Sequence, residues 1–331
     1  MNNTVPLKEI DSIIFDIDGT LVDTSASYTE VIKETLKIYL SLFIKGEIKA
    51  ELLLNSGEVN AFKQLGGYNN DWDTVAAVLY YYVSLIPEEL LAKSCRLALP
   101  EQRDVRALID QLKGAMTEEF SFKELIAKKD ILGFVESLRV QKIFGLRALR
   151  ALLKEQNSWL ILCGGSLIDK NLVQRIYQEL YQGGELFRTN YGHNAIFHAG
   201  EGYCQRETLL ADKQLLTRLA GKKKLGVATG RLKMEAEMVL DNFGIKDLFR
   251  CLVADDDILE EQRKPAPEIL YLAAKRLGGE SYAYVGDLPD DVKAANQAKT
   301  GLSMVSVVVG DRVAGADHYF PRIDDFLQAI V

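Results

Sequence analysis

The short apolar run Ile13-Ile14-Phe15 ends in Asp16-Ile17-Asp18-Gly19-Thr20, and the next clear runs of strand character do not come until Leu225. Between about Ser25 and Tyr203 the apolar residues recur at helical spacing instead. A lone strand can neither cover both its faces nor satisfy its backbone, so the first run must join strands supplied from the far end of the chain. The sequence therefore predicts a discontinuous α/β domain with a mainly helical insertion after its first strand.

From about Gln205 onward, short β-rich runs alternate with helical patterns, which is the signature of a doubly wound, Rossmann-like parallel sheet. The runs are Leu225-Gly-Val-Ala228, Cys251-Leu-Val-Ala254, Tyr282-Ala-Tyr-Val285 and residues 304–309. Helices are expected over 233–243, 267–277 and 291–299, stopped at Gly244, Gly278-Gly279 and Gly301. Residues 1–24 and 206–331 should form this core and 25–205 the inserted domain. Within the insertion, helices are expected over 28–44, 72–85, 101–116, 121–137, 144–155 and 169–182. Breaks are expected at Gly66-Gly67, Pro87, Pro100, Gly164-Gly165 and Gly183-Gly184.

A chain of 331 residues with 48% apolar content can bury a full core, and its length suggests two domains. The net charge of −7 argues against nucleic-acid or anionic-membrane partners, which would want a positive field. Cys95, Cys163, Cys204 and Cys251 are scattered without a Cys-x-x-Cys pair, which disfavours a zinc site or a disulfide framework and fits a reducing cytoplasm. The first ten residues are too polar for a secretory leader, and no run of apolar residues is long enough to span a membrane. A cytoplasmic location is expected.

Ligands of open parallel sheets bind beyond the carboxyl ends of the strands, so polar residues just after each apolar run carry most weight. Asp16 and Asp18 leave the first strand on the same side and can share one cation and one phosphate, a layout suited to Mg²⁺-assisted phosphoryl transfer. Gly19 allows the tight turn, and Thr20 is expected to tie it down with its hydroxyl. Thr229 follows the second run, Lys264 lies in Arg263-Lys-Pro-Ala-Pro-Glu268 after the third, and Asp287, Asp290 and Asp291 belong to Gly286-Asp-Leu-Pro-Asp-Asp. Singly, these residues suit a turn, a helix cap or a solvated surface. Jointly, they fall at one edge of one sheet.

These four segments, in this order, resemble the four motifs of the haloacid dehalogenase-like (HAD) hydrolase superfamily, subfamily IA, whose members are mostly phosphatases. The likeness covers about 10–24 and 225–310. It implies that Asp16 is the nucleophile and Asp18 the general acid/base, while Thr229 and Lys264 bind the transferring phosphoryl group. It also implies that Asp287 completes a Mg²⁺ site with the Asp16 carboxylate and the Asp18 backbone carbonyl, supported by Asp291. Gly19, Thr20, Gly230 and Arg231 then fall among the substrate contacts.

An insertion at this point of such a chain is a C1-type cap, here enlarged. The string Gly66-Gly-Tyr-Asn69-Asn70-Asp71-Trp72-Asp73 occupies the place of its specificity loop, so Asn69, Asn70, Asp71 and Trp72 are candidate substrate contacts. The competing reading is that Asp71 or Asp73 caps the next helix and Trp72 packs inside the insertion. His193 and His198 show no third ligand, Tyr80-Tyr81-Tyr82 reads as a helix face against the interior of the insertion, and Lys222-Lys223-Lys224 reads as a solvated helix end. The implied function is a Mg²⁺-dependent phosphatase of a small phosphorylated metabolite. A phosphomutase shares every core residue and stands as the alternative. A dehalogenase would not need Asp18, and a phospho-acceptor signalling module would not carry Asp16-x-Asp18. The oligomeric state is left open.

Overall fold

The computed structural model describes residues 6–42, 44–68, 71–87, 117–143 and 171–331, with isolated positions 106, 109, 145 and 149 besides. The chain divides into two compact units, Met1–Thr24 with Glu207–Val331, and Ser25–Arg206.

The first unit is built on a six-stranded sheet. Its strands are β1 (Ser12–Phe15), β2 (Lys224–Ala228), β3 (Cys251–Val253), β4 (Tyr282–Gly286), β5 (Met304–Val309) and β6 (His318–Phe320). They run in the order β6-β5-β4-β1-β2-β3, every neighbouring pair parallel. The N-terminal strand is thus central, with Ile13 registered against Leu225 on one side and Ala283 on the other.

Side-chain alternation sorts the core into two layers. Ile13, Phe15, Leu225, Val227, Ala283 and Val285 pack against helices Lys213–Ala220, Lys233–Asn242 and Ile323–Ile330. Ile14, Ala228, Val253 and Tyr284 pack against helices Glu268–Leu277 and Pro289–Ala298. Strands covered on both faces read as continuous apolar runs, which is why the sequence announced them. Strand order grows outward from β1 to β3, then restarts on the other side at β4. That reversal opens a crevice at the carboxyl ends of β1 and β4.

Elements of this unit that went unread in the sequence include β6 and the helix Ile323–Ile330. The lysine run lies just past the helix end as expected, with Lys222 exposed, and its ammonium groups also find backbone partners. Lys222 donates to the Val331 carbonyl at 2.6 Å, Lys223 to those of Lys8 and Ile10 at 2.9 and 2.5 Å, and Lys224 to that of Gly278 at 2.5 Å. These ammonium groups thus bond main-chain carbonyls that lie far off in the sequence. The segments Val22–Asp23 and Thr208–Leu209 pair antiparallel, placing the chain's departure from this unit beside its return.

The second unit contains helices Tyr28–Ser41, Ser56–Leu65, Asp71–Ser84, Phe122–Ala127, Ile131–Val140 and Leu172–Tyr191. A small parallel pair, Ile44–Lys45 with Thr117–Ser121, accompanies them. The helix expected over 121–137 is in fact two, because the Asp130 side chain accepts the Gly133 N–H and starts a new helix there. Tyr80, Tyr81 and Tyr82 are all buried, so this helix is covered on nearly every side rather than along one stripe. The span Leu172–Tyr191 is two helical segments meeting at a kink where the break is expected: Gly183 takes a non-helical φ of 77°, and the Gly200–Gly202 backbone lies against it. The helices expected over 101–116 and 144–155, the breaks at Pro100 and Gly164-Gly165, and Cys95 and Cys163 lie outside the described residues, apart from the isolated positions.

Candidate active site

Parallel pairing in the sheet's centre delivers the first acidic residues to the crevice. The Asp16 N–H donates to the Val285 carbonyl at 2.8 Å, which fixes the end of β1 against β4. The following turn is closed by main-chain hydrogen bonds, and the Asp16 side chain accepts the Ile17 N–H at 2.9 Å. Leu21 and Val22 donate to the Ile17 carbonyl at 2.8 and 2.9 Å, and Gly19 donates to that of Val22 at 2.9 Å. The Thr20 hydroxyl, buried, makes no hydrogen bond among the described residues, so the role expected of it in tying the turn falls to main-chain groups. Gly19 has φ 69°, and a Cβ there would collide with the Asp287 carboxylate. Only glycine meets both demands.

Asp16, Asp287 and Asp291 each present a carboxylate oxygen within 4.8 Å of the others. Among the described residues this is the one trio of possible metal ligands so placed. Asp16 and Asp291 are buried, and Asp287 is half-buried. Lys264 enters the same space, its ammonium 3.0 Å from Asp16 Oδ2 and 2.8 Å from Asp291 Oδ1. Asp291 is held by its own helix start, accepting the N–H groups of Asp287 and Leu288 at 3.2 and 3.0 Å on Oδ2.

Three carboxylates against one ammonium leave the cluster short of positive charge. The effect shows on Asp16, whose carboxyl is pushed up to about 7 by burial, with Lys264 opposing the shift and Asp291 and Asp18 adding to it. Burial alone would depress Lys264, but Asp16 and Asp291 beside it hold its ammonium well above the ordinary value. An all-oxygen donor set with surplus negative charge suits a hard divalent cation such as Mg²⁺.

Asp18 stands apart from the trio. Its Oδ1 accepts from Arg231 Nε at 2.8 Å and Nη2 at 2.5 Å, and the same guanidinium donates to Glu207 Oε2 at 3.1 Å. Thr229, fully buried at the end of β2, accepts the Arg231 N–H at 3.2 Å on its hydroxyl and donates its own N–H to the Val253 carbonyl. It caps no helix, since the next one begins at Lys233. Gly230 lies half-buried between them. The structure therefore groups Asp16, Lys264, Asp287 and Asp291 in one cluster, and Asp18, Thr229 and Arg231 in a second joined to it through the Asp16–Asp18 turn.

Within the helical unit, Asp71 is buried, 3.4 Å from Lys63 Nζ and at 3.5 Å from the Tyr177 hydroxyl. Trp72 is half-buried and meets the Tyr177 ring edge to face at 5.7 Å. Both thus take part in packing inside their own unit. Asn69 and Asn70 lie outside the described residues. His198 Nε2 sits 2.9 Å from the Glu201 carbonyl, and neither it nor His193 joins a metal-binding group among the described residues.

Two participants were not read from the sequence. Tyr284 hydrogen-bonds both Lys264 and Asp291, and Glu207 anchors Arg231. The available signal for Tyr284 was a phenol in a strand buried on both faces, where a hydroxyl must find a partner.

Residues 206–299 match the family model described as haloacid dehalogenase-like hydrolase. A stretch of 101 residues is 40% identical to an imidazoleglycerol-phosphate dehydratase of Phytophthora nicotianae, covering 29% of this chain and 22% of that protein. Another, of 91 residues, is 36% identical to a phosphoglycolate phosphatase of Cereibacter sphaeroides, covering 28% of this chain and 40% of the relative. The chain thus spans less than half the length of either curated relative. Phosphatase Tt82 from Thermococcus thioreducens shares the fold, with TM-score 0.55 at 21% identity over 96% of this chain and 97% of that one. No helix among the described residues is long and apolar enough to cross a membrane. The family match lies over β2 to β4 and the acidic strand-end cluster is completed by β1, so this part of the chain resembles the haloacid dehalogenase-like hydrolases.

Proposed function

We propose that the protein is a Mg²⁺-dependent phosphatase that hydrolyses a small phosphorylated metabolite through an aspartyl-phosphate. The observation that carries this reading is the convergence of Asp16, Asp287, Asp291 and Lys264 at the sheet's reversal point. Asp16 is the nucleophile. A carboxylate attacking a phosphate dianion meets like-charge repulsion, and a divalent cation held by Asp16, Asp287 and the Asp18 backbone, with Asp291 in support, would offset it.

Lys264 serves chiefly through Asp16. Its ammonium already meets Asp16, Asp291 and Tyr284, so a phosphoryl oxygen shares it only by taking the place of one of them. Thr229 and the two turns carrying Gly19-Thr20 and Gly230-Arg231 supply donors for the equatorial oxygens, where charge spreads in a loose transition state. Asp18 protonates the leaving oxygen and then takes a proton from water, with Arg231 fixing its carboxylate. The unit Ser25–Arg206 is assigned the part of a substrate-selecting cap, with Asn69 to Trp72 its candidate contacts.

The test is phosphate release from a panel of phosphorylated metabolites with Mg²⁺ present, phosphoglycolate included because a curated relative is so named. Asp16→Asn provides the blank. Release by the native protein, absent in the blank and abolished by chelation, supports the reading. Equal release by both sinks it, and transfer of the phosphoryl group back to substrate without free phosphate would favour the mutase.

A further inference from the structure

Lys264 carries three N–H donors on a flexible stem, and a free ammonium spins among many orientations. Here each donor has its own acceptor: Asp16 Oδ2 at 3.0 Å, Asp291 Oδ1 at 2.8 Å and the Tyr284 hydroxyl at 2.9 Å. The Tyr284 oxygen also lies 3.0 Å from Asp291 Oδ1 and 3.2 Å from the Ala228 carbonyl. Lysine, tyrosine and aspartate thus close a three-membered ring of hydrogen bonds. Tyr284 is 1% exposed, and its ring sits in the core layer under β1 with Ile14 and Ala228.

We propose that Tyr284 is a positioning residue of this site: by occupying one donor direction of Lys264 and bonding Asp291, it aims the remaining Lys264 N–H at the attacking oxygen of Asp16. The catalytic part of the idea rests on the phosphatase reading. Its geometry does not. The phenol reaches across from β4 to the end of β2, so it also holds the Ala228–Thr229 end in step with Lys264. A phenylalanine would fill the same volume and lose only the hydroxyl. One Lys264 N–H would then be left without its acceptor in a buried place, and the ammonium would reorient.

The experiment uses full-length protein, p-nitrophenyl phosphate and Mg²⁺, with Tyr284→Phe, Lys264→Met and the double variant. Tyr284→Phe should lower kcat about tenfold with KM changed less than about twofold, since the lost contact matters after substrate is bound. The double variant should be no slower than Lys264→Met alone, because a residue acting through Lys264 has nothing left to do without it. Multiplied losses, or a kcat within about twofold of the native value for Tyr284→Phe, overturn the proposal. If Lys264→Met does not fold, Lys264→Leu replaces it in the same cycle.

An activity-free measurement separates this idea from the phosphatase reading. The Lys264 ammonium, saturated with acceptors, should give a slowly exchanging nitrogen-15 resonance that is absent in the lysine variant. In Tyr284→Phe that exchange should quicken at least about tenfold, matching the loss of one of three bonds. An unchanged resonance overturns the positioning role even if the enzyme proves active. An inactive native protein with the resonance behaving as expected keeps the geometry and rejects the phosphatase.

Discussion

Each unit of the molecule buries a cluster of charge, and the two clusters are balanced differently. In the helical unit, Arg175 and Glu179 pair one to one, both almost wholly buried. Glu179 Oε2 also accepts the N–H groups of Ile196 and Phe197 at 2.7 and 2.6 Å, and that of His198 at 3.3 Å. Arg175 donates to the Asn194 carbonyl at 2.8 Å and lies over the Phe187 ring. Every charge there is answered, and the product is a pinned loop. In the sheet unit, one lysine faces Asp16 and Asp291 directly with Asp287 close by, and the deficit shows in the raised Asp16 carboxyl. A closed account of charge builds structure, whereas an open one waits for a cation.

The sharpest break of this contrast is to remove one charge from each side. Asp16→Asn should cut phosphate release by at least about a thousandfold, yet leave or raise the melting temperature of the metal-free protein. The sign follows from linkage. The native carboxyl titrates at about 7 against an ordinary 3.8, so between those values the folded state holds a proton that the unfolded chain has lost. Its contribution is favourable below that interval and disappears as pH rises through it. Denaturant midpoints taken with a chelator on either side of the interval should show this fall in the native protein and a weaker one in Asp16→Asn. Added Mg²⁺ should restore most stability on the alkaline side. A steeper fall in the variant would contradict the assignment.

Glu179→Ala should do the reverse, costing about 3–5 kcal/mol by stranding Arg175 and three N–H groups. A thermal scan would register an earlier transition, and retention of the native midpoint would erase the contrast. Gly19→Ala should cost less, about 1–3 kcal/mol from the left-handed φ, but should also raise the Mg²⁺ concentration for half-maximal rate by crowding Asp287. An unchanged metal requirement would detach that turn from the cation site. The smallest effect is expected of Asn70→Ala, with stability within about 0.5 kcal/mol of native and altered kcat/KM ratios across substrates. Destabilisation with unaltered ratios would instead make that stretch a packing element.

The sheet was legible because β1, β2, β4 and β5 are covered on both faces and leave apolar runs bounded by glycine and acidic turns. β6 was not, since His318-Tyr319-Phe320 lies at the edge, half-buried throughout, with neither alternation nor a continuous apolar run. The join between helices at Asp130 was missed because Lys128-Lys129-Asp130 looks like an exposed helical face until the aspartate turns back onto Gly133. Of the candidate site, the strand-end acids stood out because position alone marks them. Tyr284 did not, since one residue does two jobs: its ring is core and only its hydroxyl is site. Glu207 hid at the domain boundary, and its pairing with Arg231 is a tertiary fact that no local pattern encodes.

The ribbon formed by Val22–Asp23 and Thr208–Leu209 has an evolutionary corollary. Because exit and re-entry lie side by side, everything between them is topologically an extra-long hairpin turn. Lengthening such a turn raises the entropy of closure only logarithmically, roughly 0.6 kcal/mol per doubling. The neck can therefore carry an insert of almost any size, and cutting Ser25–Arg206 back to a few linker residues would leave the sheet's own connectivity intact.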